Sequence, residues 1–264
     1  MAWKRNLVAA ACLAVLPLTV RAESAPAAPA TTQAPSGVVI DARTERVLLD
    51  ACAFLRSAER FAVDAAVSYD DVLKSGKKVQ YHRENSIVLE RPNRLRVDGE
   101  SDKGTRSVFY DGTKLTVYRP DRALYAAFDA PATIDATLDA IEQRGVLMPL
   151  DDLLRTHPCA GLAEHLKTAS HAGRHYLDGD WYHHLLLETD AVDVQLWVAE
   201  GDEPAIRKVV ITYRDAPGQP QFSALLTGWD FAPAIEPGTF AFSPPEGVKK
   251  VAFRGAAGTE GGAK

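Results

Sequence analysis

Between Phe61 and Asp70 the chain changes character at every residue. Phe61, Val63, Ala65, Val67 and Tyr69 fall on one side; Ala62, Asp64, Ala66, Ser68 and Asp70 fall on the other. A period of two is the geometry of a β-strand with one face buried, because successive side chains leave opposite faces of the pleat. The stretch cannot be an amphipathic helix, and its apolar side needs a second layer to cover it. Ser75-Gly76-Lys77 supplies a turn, and the return strand repeats the pattern with Val79, Tyr81, Ile87 and Leu89 on one side and Gln80, His82, Glu84, Ser86 and Glu90 mostly on the other.

Shorter strands follow at turn-bounded intervals. Arg91-Pro92-Asn93 precedes Arg94–Asp98. Ser107–Tyr110 runs into Asp111-Gly112, a strong hairpin signal. Lys114–Arg119 is the next strand, and Pro120-Asp121-Arg122 turns the chain into Ala123–Phe128. After an interruption the alternation resumes. Arg174–Leu177, the Asp178-Gly179-Asp180 turn and Tyr182–Glu188 form a hairpin. Val192–Ala199, Ile206–Tyr213 and Gln221–Asp230 are longer strands, and Phe240–Phe242 and Val248–Phe253 finish the sheet.

Helical spacing appears in two places. Asp41–Arg60 carries Val47, Leu48, Ala51, Phe54, Leu55 and Ala58 at three-and-four spacing, opposite Arg43, Arg46, Asp50 and Arg56. Residues 131–169 break the β pattern with Asp135–Arg144, Leu150–Arg155 and Cys159–Thr168, the last two separated by His157-Pro158. The order is helix, strands, short helices, strands, without a fixed repeat. The economical architecture is α+β and mainly antiparallel β, with a helical insertion between the halves of the sheet.

The ends carry other information. Lys4 and Arg5 precede an apolar run from Leu7 to Val20, and Val20-Arg21-Ala22 suits cleavage after Ala22, so residues 1–22 read as a secretory signal. The run is about 14 residues, short of the roughly 20 that span a bilayer. No stable membrane span is expected after cleavage, and the mature chain is expected in the periplasm. A lipid-modified Cys12 is the weaker alternative, because apolar residues continue past it. Residues 23–40 read as an Ala/Pro-rich linker, 41–253 as one domain and 254–264 as a disordered Gly/Ala tail. The full sequence carries a net charge of −5, and the signal would remove Lys4, Arg5 and Arg21. An acidic mature chain argues against nucleic acid as partner, since phosphate contacts need clustered cations. It does not argue against an apolar ligand.

Cys52 and Cys159 are the cysteines left after cleavage. Export makes a Cys52–Cys159 disulfide one reading and two separately buried thiols the other. Six of the seven histidines fall between 157 and 184: His157, His165, His171, His175, His183 and His184. Their spacing does not favour a metal, because neighbours such as His183 and His184 leave a strand on opposite faces. Ser75-Gly-Lys-Lys78 has the spacing of a penicillin-recognising nucleophile, but it sits in a hairpin turn without the accompanying motifs. Asp70, Asp71, Asp151, Asp152, Glu188, Asp190 and Asp193 read as solvated turn residues. No catalytic residues, metal or cofactor are assigned, and the chain is not expected to be an enzyme. Phe61, Tyr69, Tyr81, Trp197, Phe222 and Trp229 lie on strands, with roles in packing against the helices or in lining an apolar cavity.

Several phrases also carry a family resemblance. Arg91-Pro-Asn-Arg-Leu-Arg96 and Phe109-Tyr-Asp-Gly-Thr-Lys-Leu-Thr-Val-Tyr-Arg-Pro120 resemble strand entries and a hairpin of the lipoprotein-carrier (LolA/LolB-like) superfamily. Val194-Gln-Leu-Trp-Val198, Lys208-Val-Val-Ile-Thr-Tyr213, Trp229-Asp-Phe-Ala-Pro233 and Phe240-Ala-Phe-Ser-Pro-Pro-Glu-Gly247 are similar to the DUF2092 family of predicted periplasmic proteins over residues 41–252. The resemblance implies an incomplete β-barrel of about 11 strands whose apolar concave face is covered by helices. In relatives that cavity accepts acyl chains. The candidate lining is then the apolar side of the alternating strands: Phe61, Val63, Val67, Tyr69, Ile87, Leu89, Leu95, Val97, Val194 and Leu196. The expected function is a non-enzymatic binding protein for a lipid, a lipoprotein acyl chain or another apolar molecule. The alternative is an envelope interaction domain, a sensor or assembly factor with a filled cavity that meets another envelope protein.

Overall fold

The structure is a computed structural model that describes residues 39–146 and 148–253. The expected signal segment, the Gly/Ala tail and most of the expected linker lie outside the described residues.

The alternation becomes two long antiparallel strands, β2 (Arg60–Val72) and β3 (Lys78–Glu90), in register from Arg60↔Glu90 to Val72↔Lys78. β4 (Arg94–Ser101), β5 (Gly104–Tyr110), β6 (Lys114–Arg119) and β7 (Leu124–Asp129) continue the meander. The second half is built from β8 (Thr168–Leu177), β9 (Asp180–Glu188), β10 (Val192–Ala199), β11 (Ile206–Tyr213) and β12 (Gln221–Asp230). β12 pairs antiparallel with β2 through Phe222↔Tyr69, Ala224↔Val67 and Leu226↔Ala65, which welds the two halves into one sheet.

Two short parallel strands extend its edges, β1 (Val39–Ile40) on β8 and β13 (Lys249–Val251) on β7. The sheet is open and ordered β1-β8-β9-β10-β11-β12-β2-β3-β4-β5-β6-β7-β13, with the eleven strands from β2 to β12 paired antiparallel. The expected linker therefore gives its last two residues to a strand. Two other expectations are corrected. β8 begins at Thr168, not Arg174; a bulge between His171 and Gly173 hides the period there. Phe240–Phe242 is not a strand. Pro244 and Pro245 cannot donate to a ladder, and Phe242 instead packs against Phe109, Tyr118 and Tyr125, with ring centroids 5.4, 5.2 and 5.2 Å away.

The strand order explains the helices. β7 and β8 lie on opposite sides of the sheet, so the chain between them must cross a face. It crosses on the apolar side as α2 (Ile134–Glu142), α3 (Asp151–Leu154) and α4 (Ala160–His165). Ile134, Leu138, Ile141, Leu153 and Leu154 join Phe61, Leu89, Leu95, Tyr110 and Leu115 in one buried cluster. α1 (Ala42–Ser57) adds Leu48, Ala51 and Leu55. Its N-cap, Asp41, accepts hydrogen bonds from the backbone N–H groups of Arg43 and Thr44, at 3.1 and 3.0 Å, and from the Thr44 hydroxyl. Asp41 also accepts from the His171 N–H on β8 at 3.2 Å, so one carboxylate caps the helix and ties it to the sheet. The buried Tyr110 hydroxyl donates to the Pro131 carbonyl at 2.5 Å, fixing the entry to α2.

Cys52 on α1 and Cys159, at the start of α4, are joined as a disulfide with Cα atoms 6.0 Å apart and 107 residues of separation. A link across so long a loop restricts the unfolded chain strongly. The C52S/C159S double variant is expected to lose about 2–4 kcal/mol of unfolding free energy relative to the oxidised protein. Urea melts with and without reductant check this: reductant should destabilise the wild type and leave the double variant unchanged.

Candidate functional site

The ten candidate lining residues all project from one face of the sheet. Two rungs show the arrangement: Phe61↔Leu89↔Leu95 and Val63↔Ile87↔Val97. Eight of the ten are buried and belong to the main core, while Tyr69 and Val97 are half-buried against it. Most of them share one buried cluster with helix residues such as Leu55, Leu138 and Leu153. Val194 and Leu196 differ. They line an apolar cavity of about 90 Å³ together with Leu150, Leu153 and Leu162 from the helical segment and Ile206, Val209 and Ile211 from β11. The sequence-based lining omits these β11 residues and the helix leucines. Apolar residues in Ile206–Tyr213 carry the signal, but pattern alone does not say which rung stays uncovered.

Asp152 is the carboxylate on this cavity. Burial, followed by the neighbouring charge of Asp151, pushes its pKa above the ordinary carboxylate value. Asp152 accepts a hydrogen bond from the Leu162 N–H at 3.2 Å, which holds α4 against α3. Asp151 is paired with Arg155 at 2.9 Å, and Arg155 reaches Asp139 on α2 at 2.7 Å. Neither Asp151 nor Asp152 is a solvated turn residue: both begin α3 and fasten the helical cover. The same Asp152 oxygens account for Gly161, where a Cβ would stand 2.9 Å from Oδ1.

The aromatic residues divide by face. Phe61 meets Trp229 edge-on at 5.3 Å, and Trp229 donates its indole N–H to the Ile206 carbonyl at 3.0 Å. Trp197 does not face the helices. Leu196 and Val198 take the inner positions of β10, so Trp197 points outward and stacks on His184 at 4.0 Å, with Lys208 over its ring.

Four of the histidines form two pairs on opposite faces of the β8–β9 hairpin. His171 Nε2 lies 3.1 Å from His183 Nδ1, and His175 Nδ1 lies 3.0 Å from His184 Nδ1. Each contact needs one donor and one acceptor nitrogen, so it holds only while at least one ring is neutral. His184 also meets Gln195 Oε1 at 3.1 Å, and His183 lies 3.8 Å from Glu200. Among the described residues, no group of three or more His, Cys, Asp or Glu side chains is arranged to hold a metal ion.

The class defined by this geometry is an open, antiparallel half-barrel with helices packed on its apolar face. Over residues 44–254 the chain matches the family model described as "Predicted periplasmic protein (DUF2092)", and it belongs to that family. No curated protein sequence matches it. Among solved structures it is similar to LprF from Mycobacterium bovis, at 12% identity and TM-score 0.49, over 76% of this chain and 98% of that one. An uncharacterised conserved protein from Thermus thermophilus aligns at 7% identity and TM-score 0.46, over 80% and 99%. A LolA-superfamily protein from Nitrosomonas europaea aligns at 10% identity and TM-score 0.40, over 75% and 97%. None of the described helices is long and apolar enough to cross a membrane.

Burial depresses the pKa values of His171, His183 and His184, and nearby cations add to the effect. Protonation is thus harder in the folded than in the unfolded chain. The resulting stability is present above the unfolded imidazole value near 6.5 and is lost as pH falls below it. Thermal melts are expected to show a fall in Tm from pH 7.5 to 5.5. An H183Q/H184Q variant should show a smaller fall; an unchanged pH slope would remove these histidines from the account.

Proposed function

We propose that the protein works in the periplasm as a non-enzymatic binding protein. It holds an acyl chain or another apolar molecule between the inner face of β10–β11 and the helices α3 and α4. The carrying observation is the cavity lined by Val194, Leu196 and Val209 on one side and Leu150, Leu153 and Leu162 on the other. Its floor is a continuous sheet, while its roof is two helices of four and six residues, neither with a side-chain N-cap. Short, uncapped helices are the part of such a structure that opens at least cost. The family description and the secretory pattern of residues 1–22 support the periplasmic placement.

The cavity must enlarge to work. At about 90 Å³ it equals roughly three water volumes, far below the 300 Å³ or more of drug-sized sites. Displacement of α3–α4 from the sheet supplies the space. Each buried methylene of a ligand returns about 0.8 kcal/mol, so a chain of ten offers about 8 kcal/mol against the opening cost. The small cavity favours a second reading, an envelope sensor or assembly domain whose interior stays closed and whose outer face meets another protein.

Native mass spectrometry of protein purified from its own envelope separates the two. Bound apolar adducts are expected under the first reading, and a ligand-free mass under the second. In solution, the protein should displace a fluorescent fatty acid from a competitor carrier. Leu162→Trp, which fills the cavity from its half-buried rim, should abolish that displacement while leaving the fold intact by circular dichroism. Undiminished displacement by the variant would place the ligand elsewhere.

A further inference from the structure

The inner face changes chemistry along its rungs. One rung runs Leu196↔Val209, Val209↔Ala224, Ala224↔Val67 and Val67↔Arg83. The next runs Val194↔Ile211, Ile211↔Phe222, Phe222↔Tyr69 and Tyr69↔Tyr81. Both begin at the apolar cavity and end at cations and tyrosines. From β11 to β3 is three strand spacings, about 14 Å at ~4.8 Å each.

The far end is unusually basic for an acidic protein. The rings of Tyr69 and Tyr81 stack at 5.6 Å. Lys103 Nζ lies 4.0 Å from the Tyr81 centroid and 5.6 Å from that of Tyr69, and the Arg83 guanidinium lies 5.9 Å from Tyr69. Arg106, opposite Gly99 on β5, projects from the same face, as does Arg119 on β6. Arg119 is paired with Asp121 at 3.0 Å. Among the described residues, no carboxylate pairs with Arg83, Lys103 or Arg106. Among the acids of the adjoining strands, Asp71 lies one inner position beyond Tyr69, and three others are turned away or engaged. Asp102 accepts from the His82 N–H at 2.8 Å, and strand alternation turns Glu84 and Glu100 outward. Crowding has a cost at Arg106: desolvation, then the charges of Arg83 and Arg119, holds its guanidinium below the usual pKa.

We propose that Arg83, Lys103 and Arg106 form a site for a phosphate-type oxyanion, the head group of an amphiphile whose chain follows the rungs to the cavity under α3–α4. This assignment rests on the apolar-ligand reading and names the ligand class within it. Guanidinium groups present forked donors to a phosphate, a lysine adds a point charge, and the tyrosine pair gives the cations a rigid aromatic base. A dianion would remove the mutual repulsion that the free protein carries.

Three probes test the site by calorimetry at low salt: dodecyl phosphate, 1-dodecanol and glycerol phosphate. Dodecyl phosphate is expected to bind about tenfold or more tightly than 1-dodecanol. An R83Q/R106Q variant should erase that difference and leave dodecanol binding unchanged. Equal binding of both amphiphiles, unaffected by R83Q/R106Q, would overturn the head-group site and leave the apolar reading standing. Glycerol phosphate binding that the variant abolishes, with neither amphiphile gaining from its chain, would keep the oxyanion site and overturn the apolar reading. Failure of all three probes overturns both.

Discussion

Everything in this fold follows from one unsatisfied surface. Eleven antiparallel strands share one face whose buried part is apolar, from Val194 and Leu196 on β10 across β12 and β2 to Leu115 on β6. A sheet this wide cannot leave that face to water, since each Å² of apolar area left exposed forfeits about 25 cal/mol. The cover comes from the topology. Because β7 and β8 sit on opposite sides of the sheet, the chain that joins them crosses the face, and its leucines and isoleucines are spaced to land on it. α1 closes the remaining side.

The cover is fastened unevenly. α1 is held by the Asp41 cap, by its contact with β8 and by four buried side chains. α2 is anchored through Tyr110 and Pro131. α3 buries Leu153 and Leu154 in the core, α4 buries no side chain, and the pair is tied by Arg155 to Asp139, Asp152 to the Leu162 N–H, and the Cys52–Cys159 bridge. The apolar cavity lies under this lightly held part. The disulfide tethers the start of α4 to α1.

Much of the fold is legible in the sequence because period-two alternation is strict where one face is buried. It marks β2, β3 and their inner residues Phe61, Val63, Val67, Ile87 and Leu89. The failures have physical causes. A bulge at His171/Gly173 breaks the alternation and makes β8 look shorter than it is. Trp197 looks like a core residue because aromatics usually are, yet its neighbours Leu196 and Val198 own the inner positions. Val39–Ile40 and Lys249–Val251 are too short to show a period. The site is less legible than the fold. Alternation assigns a residue to a face but says nothing about which strands lie side by side. The meeting of Arg83, Lys103 and Arg106 and the bare rung at Val194–Ile211 appear only when the register is known.

Amide hydrogen exchange resolved to segments tests the central idea, a firm sheet under a helical roof that opens. Asp151–His165 is expected to exchange orders of magnitude faster than Val192–Ala199 and Ile206–Tyr213 in the free protein, and to change its protection when a fatty acid is added. Exchange in α3 and α4 as slow as in β10 and β11, and indifferent to any acyl ligand, would contradict the account.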